Sequence, residues 1–161
     1  MNDGDCTSQV LWSHLRHELR TPLNAIIGYS EMLLEDADDA GLADYAADLK
    51  QVLAAGRQLL AVVNDLLDAQ KLASDDVPFN LESLITNLDY QARAPLNGVI
   101  GYSEILLENA AEQEQEEIIP DLEKIHAAGK LFLARLNNII DFSNFDAGLK
   151  SPPWEPRISR L

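Results

Sequence analysis

Apolar residues recur along this chain at spacings of three, four and seven, the mark of helices that bury one stripe and solvate the rest. Leu15, Leu19, Leu23, Ile26 and Leu33 form one stripe, which predicts a first helix over about residues 9–37. That helix runs into an acidic cluster, Glu35, Asp36, Asp38 and Asp39, with Gly41 as the turn residue. A second helix is predicted over about 43–73, with Leu49, Val52, Gly56, Leu59, Val63 and Leu66 as the seam of an antiparallel pair. Two long helices and a short loop make a hairpin, and its wide apolar face needs a partner.

The second half of the chain supplies one. A shift of 73 residues lays Pro22 on Pro95, Asn24 on Asn97, Gly28 on Gly101, Gly56 on Gly129 and Asn64 on Asn137, with 24 identities in 63 ungapped pairs. Such self-similarity reads as an internal duplication. The last helix repeats the seam as Leu122, Ile125, Gly129, Phe132, Leu136 and Ile139, with Pro120 expected in its first turn. Between the halves, ASDDVPFN at 73–80 reads as a short linker ending in an N-cap at Asn80. The expected fold is therefore all-α: an antiparallel four-helix bundle of two helical hairpins in one chain, an intramolecular pseudo-dimer. Its parts are a disordered leader (1–8), a first hairpin (9–73), a linker (74–80), a second hairpin (81–146) and a Pro-rich tail (147–161).

Composition narrows the function. The 161 residues carry a net charge of -15, with five basic against 13 acidic groups in 1–75 and seven against 14 in 76–161. Nucleic acid is an unsuitable partner for so acidic a surface. Cys6 is the only cysteine, which forms neither a disulfide framework nor a metal cluster. No apolar run reaches the length of a membrane span, and MNDGDCTSQV lacks the regions of a signal peptide. A soluble, cytoplasmic chain is expected.

The candidate chemistry lies in SHLRHELRTPLNAIIGYSEMLL, residues 13–34. At about 100° per residue, His17 stands about 160° from both Leu15 and Leu19 and faces solvent. Glu18 is its neighbour, able to accept a hydrogen bond from the imidazole, and Thr21 lies one turn along on the same face. Pro22 is costly inside a helix, by about 3 kcal/mol. A distortion beside an exposed histidine suggests function.

The run HELRTPLNAIIGYSEML resembles the H-box of the dimerisation and histidine-phosphotransfer domain of two-component histidine kinases. The resemblance implies that His17 accepts a phosphoryl group, that Glu18 handles the ring proton, and that Thr21 positions a water for dephosphorylation. It implies a response-regulator receiver domain as partner, contributing the aspartate and Mg²⁺, and a separate histidine kinase as a second candidate donor. No cofactor or metal is expected in this chain, and a monomer is expected, since one chain holds both hairpins.

The second copy departs from the pattern: Tyr90, Gln91 and Ala94 stand where the first has His17, Glu18 and Thr21, while Arg93, Pro95, Leu96 and Asn97 keep the scaffold. The second hairpin thus reads as structural, completing the bundle and half of a docking surface. No Gly-rich phosphate loop or Walker-type motif appears, so neither ATPase activity nor autophosphorylation is expected of the chain alone. The leading expectation is a histidine phosphotransfer protein of a phosphorelay, with receiver phosphatase activity as a further possibility. Its rivals are a non-catalytic kinase mimic that sequesters a receiver or kinase, and a phosphoacceptor fragment of a larger sensor kinase.

Other conspicuous residues take plainer readings. His14 reads as a flanking surface residue and His126 as a helix-surface or bundle-edge one. Gly56 and Gly129 read as sites of close helix packing, and Asn64 and Asn137 as a buried polar pair. EQEQEE at 112–117 reads as a solvated helix end, and Trp154 as part of a frayed tail.

Overall fold

The computed structural model describes residues 3–39, 42–67 and 81–146, with side chains over 13–37, 42–67 and 83–141. Four helices fill it: α1 (Asp3–Asp39), α2 (Ala43–Leu66), α3 (Leu81–Glu112) and α4 (Ile119–Asp146), the last preceded by a 3-10 turn at Glu116–Ile118. Helix α1 starts at Asp3, well inside the stretch expected as a leader. The linker 74–80, the Asn80 cap, and the tail 147–161 with Trp154 lie outside the described residues.

Each helix packs on two neighbours, α1 and α3 both lying against α2 and α4. Polar contacts fix the directions. Arg16, in the first half of α1, reaches the Leu67 carbonyl at the end of α2. Tyr45 at the start of α2 donates to Gln113 just past the end of α3. Arg135 late in α4 meets Glu18 early in α1. Neighbours are antiparallel, and the architecture is an all-α four-helix bundle.

The core follows the repeat. Leu23 and Leu96, Ile26 and Val99, Leu33 and Leu106, and Val52 and Ile125 are equivalent pairs, all buried. Burying each such side chain contributes about 1.5–3 kcal/mol. Gly56 and Gly129 sit where the helices approach most closely. A Cβ on Gly56 would come within 3.0 Å of Ile26 Cγ2, and one on Gly129 within 3.2 Å of Ile100 Cγ1 and Val99 Cγ1. The close-packing expectation holds at both. Asn64 and Asn137, by contrast, are exposed rather than a buried pair. Each follows a buried seam residue, Val63 or Leu136, and one residue turns the side chain about 100° away from the core.

The two hairpins also end their first helices alike. The Leu42 N–H donates to the Ala37 carbonyl at 2.8 Å, and the Gln115 N–H to the Ala110 carbonyl at 2.9 Å. This six-to-one bond belongs to a Schellman ending, which places the preceding residue in the left-handed region. In the second hairpin that residue is Glu114, at φ 58°. EQEQEE thus begins on the last residue of α3, Glu112, and forms most of the connection to α4, more than a solvated helix end. Among the described residues no helix is long and apolar enough to cross a membrane.

Candidate functional site

Pro22 organises the site. It is buried within α1, and because it has no N–H the Glu18 carbonyl four residues back loses its helical donor. A half-buried carbonyl without a partner costs about 1–3 kcal/mol, and at Glu18 a second protein donor offsets that cost. It comes from α4. Arg135 Nη1 donates to the Glu18 carbonyl at 2.5 Å, while Nη2 lies 3.4 Å from Glu18 Oε2. One guanidinium therefore holds both the backbone and the carboxylate of Glu18.

His17 is exposed on the adjacent face, as its position relative to Leu15 and Leu19 predicts. Its ring makes no hydrogen bond among the described residues, which leaves both nitrogens accessible. Thr21 lies one turn further on, with its hydroxyl donating to the His17 carbonyl at 2.9 Å. The bond fixes the Thr21 rotamer and leaves lone pairs on an exposed oxygen. Glu18 is not hydrogen-bonded to His17 here. Its carboxylate points toward Arg135 and toward His14, whose Nε2 is 3.7 Å from Oε1. The structure thus brings His17 and Thr21 together and places Glu18 beside them, engaged with other partners.

Reasoning from sequence missed Arg135. A signal was present, since the 73-residue shift sets Arg135 against Val62, an apolar residue exchanged for a charged one at otherwise matching seams. What sequence could not supply was the partner. His126, expected at the bundle edge, is half-buried with Nε2 3.6 Å from Glu104 Oε2. Among the described residues no cluster of His, Cys, Asp or Glu could hold a metal ion.

The equivalent turn of the second hairpin is built differently. Tyr90 is 82% exposed and lines a shallow groove with Gln91, Val62, Pro95 and Arg93. Arg93 is held by Asp89 at 2.6 Å and by Asn137 Oδ1 at 3.1 Å. Val62 occupies the place beside this turn that Arg135 takes beside the first.

The family described as His Kinase A (phospho-acceptor) domain matches residues 8–75. The chain is 28% identical over 133 residues to the cell-division control histidine kinase PdhS of Brucella anthropi, covering 81% of this chain and 12% of that protein. It is 33% identical over 104 residues to PdhS of Brucella ovis and of Brucella abortus, covering 64% of this chain and 9% of each relative. The chain thus spans about a tenth of the length of these relatives. No solved structure matches it. Residues 8–75, which contain the exposed His17, the Thr21 bond and Pro22, are thus similar to the His Kinase A phospho-acceptor domain, over a little less than half of the chain.

Proposed function

We propose that this chain is a phosphoryl carrier of a two-component phosphorelay, taking a phosphoryl group on His17 from a receiver-domain aspartyl phosphate and passing it on. The observation that carries the reading is the exposed, unbonded His17 ring within the residues that match a phospho-acceptor domain, on the turn that precedes Pro22. In the transfer, one imidazole nitrogen attacks phosphorus and an N–P bond forms. The acyl P–O bond breaks, and the aspartate leaves as carboxylate with the bonding pair. The proton on the other ring nitrogen passes to a base, for which the Glu18 carboxylate is the adjacent candidate. Mg²⁺ contributed by the receiver offsets charge on the phosphoryl oxygens. Thr21, with its hydroxyl already oriented, accepts a hydrogen bond from a water that attacks an aspartyl phosphate, which adds a phosphatase reaction.

Receiver docking would occur on the α1 face around His17, with α4 completing it, in a cytoplasmic setting. The short share of PdhS that the chain covers favours a second reading, in which the same acceptor serves a larger kinase and is loaded from its nucleotide-binding domain. Purified chain is incubated with phosphorylated receiver domains and Mg²⁺, and acid-labile phosphate on the protein is followed. Label on the parent and none on His17→Ala is the expected result; label on both would overturn the assignment of His17.

A further inference from the structure

Resting on that reading, we infer that the second hairpin, though it lacks an acceptor, supplies a positioning residue for the first: Arg135 of α4 holds the His17 turn in its working shape. Pro22 leaves the Glu18 carbonyl without its helical donor, one residue from the acceptor, and a turn so weakened can wander. The guanidinium closes that gap from a helix 117 residues away in sequence. Arginine suits the task because its planar fork can bond a carbonyl with one nitrogen while the other stays near a carboxylate. The backbone contact, at 2.5 Å, is the anchor; the carboxylate contact, at 3.4 Å, is loose. Glu18 is thereby kept close yet able to swing to the His17 ring.

The other half of the bundle argues the same way by contrast. Pro95 removes the helical donor of the Gln91 carbonyl just as Pro22 does for Glu18. Yet Val62 stands where Arg135 would, and no side chain among the described residues donates to that carbonyl. The arginine is present beside the turn that has His17, Glu18 and Thr21, and absent beside the turn that has lost all three. Acceptor and clamp sit on opposite copies of the repeat. The two hairpins are complementary, which goes beyond a scaffold role for the second.

The test uses the full chain and two phosphoryl donors, a phosphorylated receiver and phosphoramidate, a small donor that needs no docking. With phosphoramidate, His17 gains the N–P bond, the P–N bond of the donor breaks, and ammonia leaves carrying the proton released from the ring. Arg135→Ala should lower the rate of His17 labelling from either donor on the order of tenfold. With the receiver this should fall on kcat and leave KM near the parent value. Arg135→Lys should recover part of the rate, and adding Val62→Arg to Arg135→Ala should recover none. A helical circular-dichroism spectrum and cooperative melting check that each variant is folded. In a second arm, Tyr90→His, Gln91→Glu and Ala94→Thr rebuild an acceptor in the His17→Ala background. This acceptor should label several-fold faster when Val62→Arg is added.

Labelling of Arg135→Ala at the parent rate, or a rebuilt acceptor indifferent to Val62→Arg, would overturn the inference while leaving the carrier reading in place. Conversely, labelling by phosphoramidate that depends on Arg135, with no labelling from any receiver, would sink the carrier reading and keep the clamp.

Discussion

Two turns of this bundle share a scaffold and differ in charge. Around Pro22, the first turn presents His17, Glu18 and Thr21 and receives Arg135 from the opposite hairpin. Around Pro95, the matching turn presents Tyr90, Gln91 and Ala94 and receives Val62. Even the flanking position is inverted: Arg16 reaches across to the Leu67 carbonyl, whereas its counterpart Asp89 pairs with Arg93 on its own helix. The buried stripe is conserved between the copies because each hairpin must fill the other's core. The exposed and half-exposed positions carry no such constraint, so chemistry could collect on one side and its support on the other.

The largest break in this comparison should come from the acceptors themselves. His17→Ala is expected to abolish phosphoryl uptake, whereas Tyr90→Ala leaves it unchanged, read as acid-labile phosphate on the chain. The cores should answer alike where the surfaces do not. Leu23→Ala and Leu96→Ala, both at fully buried equivalent positions, should each cost about 2–5 kcal/mol in urea unfolding. A large difference between them would mean that one hairpin is much the less well packed.

Glycines offer an intermediate test. Gly56→Val pushes atoms against Ile26 and Ile27 and should destabilise by about 1–3 kcal/mol. Gly28→Ala meets nothing within 4 Å on an exposed helical face and should stabilise by about 0.5–1 kcal/mol. At the α3 ending, Glu114→Gly should add about 1 kcal/mol, since it relieves a left-handed conformation at the position where the first hairpin has Gly41.

The smallest effect concerns Tyr45. Burial first, and the Asp44 carboxylate second, raise its phenol above the ordinary value. The neutral form is therefore favoured in the folded chain. This stabilising contribution is complete below the ordinary tyrosine value of about 10 and is lost as pH rises through the higher folded value. Tyr45→Phe should flatten that alkaline limb in melts recorded from pH 9 upward, although it also forfeits the hydrogen bond to Gln113.

Much of the bundle was legible because heptad spacing is a local property. The stripe through Leu19, Leu23 and Ile26, the exposed face of His17, the tight glycines and the repeat itself all follow from periodicity. Periodicity sets the start of α1 near residue 9, whereas the helix begins at Asp3, since polar residues can continue a helix without any apolar signal. Asn64 and Asn137 were assigned to the interior on spacing alone, and a displacement of one residue was enough to put them in solvent.

Sequence by itself determined that this is a helical bundle with one turn bearing His17, Glu18 and Thr21 and a matching turn bearing Tyr90, Gln91 and Ala94, because helical phase and residue identity are carried by neighbouring positions. Only the tertiary structure decided what satisfies the carbonyl that Pro22 frees. Arg135 is remote in sequence from Glu18, and a hydrogen bond forms only where folding brings donor and acceptor within about 3 Å.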